Sequence, residues 1–371
     1  MRSGSAMRSS SSEPGDDGDR PREFALAQAR TCGAAGGTTW AAVIGAAAAD
    51  LDRDPPGPLG RLLLGDRADP ERSNLPLRLV GAIHRIALTD PTCPLRPWLP
   101  SAGGVIDPER AVDAAREMAA GDPERIRAVM DAPVQTNEVG RAAALSAALH
   151  VAVGRHPLPV RLFEIGASAG LNLLLDRFRI ETDGPGWGPP DSPVRLAGRF
   201  VGPAPEVSEL IVAERRGCDP DPIDITSDAG RDLLRSFVWP EQVARLALLD
   251  AAIAIARPDP PPVDRANAGK WLADERTFPV PGSLTVVMHS AVIPYLGAEE
   301  RAVVAERIAA AGAAATGDAP FAHLSFEPPG STTWSATVDV VLESWPGGGR
   351  VLLATCGAHG DAIEWWGDRP H

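Results

Sequence analysis

The chain has 371 residues, 44% of them hydrophobic, and a formal net charge of −13 at pH 7. That length can bury one large core or two modest ones, and the acidic surplus argues against broad contact with nucleic acid or anionic lipid, which runs on Lys and Arg. Lys270 is the only lysine, so no lysine cluster serves phosphate or Schiff-base chemistry, and Cys32, Cys93, Cys218 and Cys356 are too scattered for a zinc knuckle or a disulfide framework.

Residues 1–21, rich in Ser, Gly, Asp and Arg without an apolar run, read as a disordered tail that is neither signal peptide nor anchor. No later stretch approaches the roughly 18 apolar residues of a membrane span, so a cytoplasmic protein with no membrane partner is expected. Residues 22–133 read as a helical cap. Helical patterning runs from Phe24 to about Leu64 with a break at Pro55-Pro-Gly-Pro58, then resumes over Leu75–Leu88, whose Leu79, Ile83 and Ile86 form a stripe. A Pro-rich stretch, Pro91–Pro100, is followed by helices over Asp107–Ala120 and Pro123–Ala132.

Residues 134–371 change character. A helix is expected from Thr136 to His150, then a buried strand, Val160–Ile165, then the glycine turn Gly166-Ala-Ser-Ala-Gly170, then a helix carrying Leu171, Leu174, Leu175 and Phe178. Arg179–Val201, with Gly184-Pro-Gly-Trp-Gly-Pro-Pro190 inside it, suggests a hairpin insertion around 179–205. Strand Leu210–Val212, helix Pro240–Ala256, strands Val263–Ala266 and Leu284–His289, helix Glu299–Ala311 and strand Ala322–Phe326 continue a βα alternation. Thr337–Glu343 and Arg350–Thr355, joined across Pro346-Gly-Gly-Gly349, close it as an antiparallel hairpin.

A strand ending in Glu164, a turn through Gly166, Ala167, Ser168 and Gly170, and a helix opening at Leu171-Asn172 make a cradle in which backbone donors and a carboxylate meet a polar ligand. The same residues spell Gly166-x-Ser168-x-Gly170, the nucleophile elbow of a serine hydrolase, whose triad would draw on Ser168, a later Asp and His359. Against this, the chain before Leu158 reads as helix and loop, and no His-Gly-Gly segment precedes the turn. A nucleotide-binding module without catalysis is a third reading.

The chain resembles the uncharacterised bacterial family known as domain of unknown function 2332, itself similar to class I S-adenosylmethionine-dependent methyltransferases. The carriers are Leu77–Leu88, Val134-Gln-Thr-Asn-Glu-Val-Gly-Arg141, the glycine turn, Arg216–Asp224, Val238-Trp-Pro-Glu-Gln242, and His289-Ser290 with Tyr295. The resemblance implies an α/β fold, a Rossmann-like, mostly parallel sheet with an antiparallel C-terminal hairpin behind the helical cap, and S-adenosylmethionine as cofactor for a methyl transfer to a small molecule. It implies that Glu164, Gly166, Ser168 and Gly170 hold the cofactor's amino-acid half, that Asp219 or Asp224 takes the ribose hydroxyls, and that Asn267 meets adenine.

Gln135, Asn137, Glu138 and Arg141 put polar groups at the start of an Ala-rich helix, with Asn137 and Arg141 on one face at i, i+4. They read either as ligand contacts, Arg141 meeting a carboxylate and Glu138 a proton, or as a helix cap with a salt bridge. His289, ending a strand, is a candidate general base, and Tyr295 a candidate for orienting substrate. No His, Asp and Glu grouping has metal spacing.

Overall fold

The computed structural model describes residues 20–64, 74–330 and 335–367. The chain divides into two compact units, one running to Val134 and including Trp239–Glu241, the other starting at Gln135 and resuming at Gln242. Residues 1–19 of the expected tail lie outside the described residues; Arg20 and Pro21 already belong to the first helix.

The first unit is helical: α1 (Arg20–Ala34), α2 (Thr38–Leu51), α3 (Pro58–Leu63), α4 (Leu75–Thr89), α5 (Pro108–Gly121) and α6 (Pro123–Met130). The expected stripe Leu79, Ile83 and Ile86 is buried with Trp40, Val43, Ile44, Leu59 and Leu62. Asp50, near the end of α2, is 0% exposed; its carboxylate accepts the Leu59 amide of α3 at 3.0 Å and pairs with Arg116 of α5 at 3.1 Å. Trp239-Pro-Glu241 does not start a helix as expected. Glu241 Oε1 instead accepts from the Thr39 amide (2.6 Å) and the Thr38 hydroxyl (3.1 Å), closing the first turn of α2, and the Trp239 ring lies against Gly37, where a Cβ would come within 2.6 Å.

The second unit is a nine-stranded, mostly parallel sheet with helices on both faces. In chain order it contains α7 (Ala142–Arg155), β1 (Val160–Ile165), β2 (Arg179–Ile180), β3 (Arg195–Leu196), β4 (Phe200–Val201), β5 (Val212–Asp219), α8 (Asp228–Ser236), α9 (Val243–Ala256), β6 (Val263–Arg265), α10 (Ala268–Trp271), β7 (Leu284–Ser290), α11 (Ala298–Ala314), β8 (Phe321–Glu327), β9 (Thr337–Trp345), β10 (Gly349–Gly357) and β11 (Ile363–Trp365). The sheet order is β4-β11-β10-β9-β8-β7-β1-β5-β6, with β6, β5, β1, β7 and β8 parallel and β8 to β11 antiparallel in succession.

Alternation along each strand sorts the side chains between two cores. Val160 and Leu162 of β1, and Leu284, Val286 and Met288 of β7, pack with the alanines and leucines of α7. Phe163, Ile165 and Val287 pack on the opposite face with Trp271 of α10 and Val304 and Ile308 of α11. Because α7 is buried from Ala142 through His150, its small residues meet neighbours all round, which is why its amphipathicity is weak.

Several expectations change. The helix placed at Thr136 begins only at Ala142, after a 3-10 turn over Val139–Arg141, because Glu138 caps that turn through the Gly140 amide and Asn137 sends its side chain to the Leu171 amide instead of continuing a helix. Residues 171–177 form 3-10 turns, with Leu174 off helical geometry, in place of an amphipathic α-helix. The insertion is not a simple hairpin: β2 and β3 pair in parallel, and only Ile180 and Trp187 bridge antiparallel. The C-terminal hairpin forms, but its first strand, β9, lies against β8, so the reversed strand beside the parallel set is not the chain's last.

Candidate functional site

Parallel strands leave β1 toward β5 and β6 on one side and β7 and β8 on the other, so the connections at their carboxyl ends diverge and leave the crevice in which open α/β sheets take ligands. Glu164 stands there on β1, on the α7 face. It is 1% exposed and its Oε2 has no hydrogen-bond partner. Burial pushes its carboxyl well above the usual carboxylate range; Arg141 pulls it partly back and the charge of Asp219 adds to the rise. A lone buried carboxylate costs several kcal/mol after relaxation, so burial favours the neutral acid, able both to donate and to accept.

The turn beyond Glu164 holds Gly166, Ser168 and Gly170 at φ 67°, 54° and 75°. Four of the amides here are engaged within the protein, contrary to the expectation. Ala167 N donates to Cys218 O (3.0 Å), Ser168 N to Asp219 Oδ2 (2.9 Å), Gly170 N to Ala167 O (2.7 Å) and Leu171 N to Asn137 Oδ1 (3.0 Å). The open side of Gly166 is covered by Val292, whose Cγ2 stands 1.9 Å from where a Cβ would be. What the turn leaves unpaired is side chain: Ser168 Oγ and Asn172 Oδ1 are buried without a hydrogen-bond partner.

Asp219 ends β5 beside the turn, its Oδ1 accepting from Asp221 N at 2.9 Å and from Gln135 Nε2 at 3.4 Å. Asp224, the other acidic candidate, is exposed and closes a surface turn onto Thr226 (2.9 Å to its amide), so it does not join the cluster. Asn267 is exposed just beyond the end of β6. Asn137 and Arg141 do not share a helix face: Asn137 holds the turn, whereas Arg141 donates from Nη1 to Ser290 O (3.1 Å) and from Nε to Ala358 O (3.1 Å). The Arg141 guanidinium lies 5.7 Å over the Phe326 ring.

Glu138 does not suit proton transfer. Burial opposes its ionisation, but Arg245, with which it is ion-paired, outweighs that together with His359 and Arg141, and the carboxyl is held far below the usual range. His359 Nδ1 stands 3.5 Å from Glu138 Oε2, and Ser168 Oγ hydrogen-bonds no histidine, so the hydrolase triad is not assembled.

His289 belongs to the opposite face, with Val287. Its Nδ1 is 2.7 Å from Glu327 Oε1 and its Nε2 3.0 Å from His323 Nε2, which leaves it turned away from Glu164. Tyr295, 54% exposed on the turn following β7, lies within the electrostatic reach of Arg141. Sequence reasoning did not single out Arg245, Ser290, His323 or Glu327 for the site. His323 and Glu327 flank the expected strand Ala322–Phe326, and the strand-end logic applied to His289 reaches Glu327 equally well. Among the described residues no group of three or more His, Cys, Asp or Glu is arranged to hold a metal ion, and all four cysteines are free and buried. Also among them, no helix is long and apolar enough to cross a membrane.

The chain belongs to the family described as "Uncharacterized protein conserved in bacteria (DUF2332)", whose model matches residues 22–365. No curated protein and no solved structure matches it.

Proposed function

We propose that the second unit is a Rossmann-like domain and that the protein is an S-adenosylmethionine-dependent methyltransferase acting on a small molecule. The observation that carries this reading is the pair of carboxyls at neighbouring strand ends, Glu164 on β1 and Asp219 on β5, flanking a glycine turn where Glu164 Oε2, Ser168 Oγ and Asn172 Oδ1 are buried without a protein partner. Leaving a buried polar atom unpaired costs about 1–3 kcal/mol, so three together call for a polar ligand or bound solvent. The strand order supports it: β6, β5, β1, β7 and β8 reproduce the doubly wound 3-2-1-4-5 sequence with its switch point between β1 and β7.

The donor set fits such a cofactor in its chemistry. Glu164 and Ser168 suit an amino-acid head group, Asp219 a pair of vicinal hydroxyls, and Asn267 an exocyclic amine. The amides of Ala167, Ser168, Gly170 and Leu171 already serve the protein, so recognition rests largely on side chains, and Val292 must move off Gly166 before anything lies against it. When bound, the cofactor supplies an electrophilic methyl group. The chain's residues bind and align: Arg141 braces β7 through Ser290, and the exposed Tyr295 offers a hydroxyl to the methyl acceptor.

Calorimetric titration of the full chain with S-adenosylmethionine and S-adenosylhomocysteine tests this. Binding should be measurable and should weaken by about tenfold or more in Glu164→Gln and in Asp219→Asn, the loss of one or two hydrogen bonds. A folded wild-type protein that gives no heat with either compound sinks the reading.

A further inference from the structure

The connection from β7 to α11 passes over the glycine turn, and its hold on the sheet is gathered in one side chain. Beyond Ser290 the chain runs through Ala291, Val292 and the 3-10 turn Ile293–Tyr295 before α11 opens at Ala298. The Val292 amide donates to Glu327 Oε1 at 2.9 Å and the Ile293 amide to Glu327 Oε2 at 3.3 Å. Each amide has a single proton to give, so two consecutive donors of the connection end on one carboxylate of β8. That carboxylate is 8% exposed and is steadied from behind: His289 Nδ1 stands 2.7 Å from Oε1, and His289 Nε2 stands 3.0 Å from His323 Nε2. The turn itself bonds inward, Tyr295 N to Val292 O at 3.0 Å and Leu296 N to Ile293 O at 3.2 Å, which lets it shift as a unit.

The connection is under tension where it starts. Ala291 has a φ of 56°, a left-handed backbone that a residue with a Cβ adopts at a cost. Its amide still donates to Phe326 O at 2.9 Å, so the bonding with β8 reaches Ala291 and the chain departs there. Next comes the seat of Val292: Gly166 is left-handed as well, at φ 67°, and a Cβ on it would come within 1.9 Å of Val292 Cγ2. The methyl group fills the space that a side chain, or a ligand lying on the turn, would take. At the far end Gly297 has nothing within 4 Å of where a Cβ would be, so Ala291 and Gly297 are the positions able to absorb a change of backbone angle. Strand β7 is buried along its whole length, whereas Val292, Ile293 and Pro294 are half-buried and Tyr295 is exposed.

We propose that residues 291–296 form a gate over the glycine turn, with Val292 seated on Gly166 as the closed state and Glu327 as the latch. The proposal rests on the reading of that turn as a ligand site and adds that the empty site is shut. In the closed state the two bonds to Glu327 outweigh the left-handed cost at Ala291. On opening, both amides exchange the carboxylate for water, Ala291 relaxes, and Val292 uncovers Gly166 to an incoming head group. Glu327 acts as a positioning residue, touching the gate and not the ligand.

Amide hydrogen exchange, read residue by residue by NMR on the full chain without ligand, tests the gate. In wild type the amides of Val292 and Ile293 should exchange faster than those of Val286, Val287 and Met288 in β7, because a gate opens without unfolding the sheet. Glu327→Gln, which keeps one acceptor oxygen, should speed their exchange by about tenfold or more and leave the β7 amides as in wild type. Ala291→Gly relieves the closed state and should slow the same two amides by about threefold. Substitutions that only loosened the connection would speed exchange in both variants. Val292 and Ile293 amides that exchange no faster than β7 in wild type overturn the proposal, as does an Ala291→Gly protein in which their exchange is not slowed. Stopped-flow mixing with S-adenosylhomocysteine gives a second arm: association should be faster than wild type in Glu327→Gln and slower in Ala291→Gly. Opposite shifts in exchange without calorimetric binding retain the gate and reject the methyltransferase; binding with one association rate in all three proteins does the reverse.

Discussion

Each unit buries one carboxyl completely enough to compare. Asp50 in the helical unit is built into its frame, capping α3 and pairing with Arg116. Glu164 in the sheet unit has an oxygen that nothing in the protein meets. Both are all but fully buried; the glycine turn that follows marks Glu164 in the sequence, whereas nothing in its alanine-rich helix marks Asp50. The difference is partners: a buried carboxyl with a backbone amide and a guanidinium holds structure together, and one without them is held ready for something else.

The contrast is broken most forcefully at Asp50. Replacing it by Asn removes the anionic partner of Arg116 and weakens the cap on α3, and should destabilise the helical unit by about 3 kcal/mol, in the range found when one member of a buried pair is lost. Denaturant unfolding followed by tryptophan fluorescence measures this, since Trp40 lies in the same core. An Asp50→Asn protein as stable as wild type would show that the burial of the carboxylate already cancels its bonds.

Glu164 should behave in the opposite way. Its folded-state pKa is raised, so the folded chain keeps a proton that the unfolded chain gives up. That contribution to stability is fully present below the ordinary carboxylate range and is lost as pH rises through the raised value. Glu164→Gln should therefore flatten the decline in stability on the alkaline side of the ordinary carboxylate range while leaving acid stability close to wild type. Thermal unfolding across that window decides it; parallel curves for the two proteins would mean that Glu164 is ionised in the fold.

How much of this the sequence disclosed depends on whether a feature is local. The strand Val160–Ile165, the glycine turn and the stripe on α4 are patterns of consecutive residues, and they appear where expected. Strand β5 is mostly hidden because Glu214, Arg215 and Arg216 look like a solvated run; their partners Arg161, Asp176 and Asp264 come from other elements. Helix α8 does not stand out in the apolar pattern, although Ser227 caps it in the usual manner, its side chain accepting from Gly230 N at 3.0 Å. The polar run Gln135–Arg141 reads as a helix start because helical spacing is the only rule available without knowing that Asp219, Leu171 and Ser290 lie within reach. The same blindness hid the covering of Gly166, since no periodicity relates Val292 to a turn 126 positions earlier by number.

Val292 sharpens the comparison from the ligand's side. Val292→Ala removes two methyl groups from a half-buried position and should cost about 1 kcal/mol of stability. If the side chain also blocks the turn, the same change should tighten S-adenosylhomocysteine binding, because the ligand no longer has to displace it. Calorimetry on the variant separates the outcomes: lower stability with unchanged affinity means that Val292 is packing alone.

The smallest effect returns to the helical unit. Glu241 Oε1 accepts from the first-turn amide of α2 at Thr39 and from the Thr38 hydroxyl. It does so from far along the chain, in place of the Ser, Thr, Asp or Asn that normally precedes a helix; here that position is Gly37, which offers no side chain. Glu241→Gln keeps an acceptor oxygen and removes the charge that complements the helix N-terminus, so the expected loss is about 0.5 kcal/mol, and Glu241→Ala, which removes both, should lose about 1 kcal/mol. Added salt should narrow the gap between wild type and Glu241→Gln, because only the charge contribution is screened. Equal losses in the two variants at low salt would mean that the carboxylate's charge contributes nothing and that the cap works through its hydrogen bond alone.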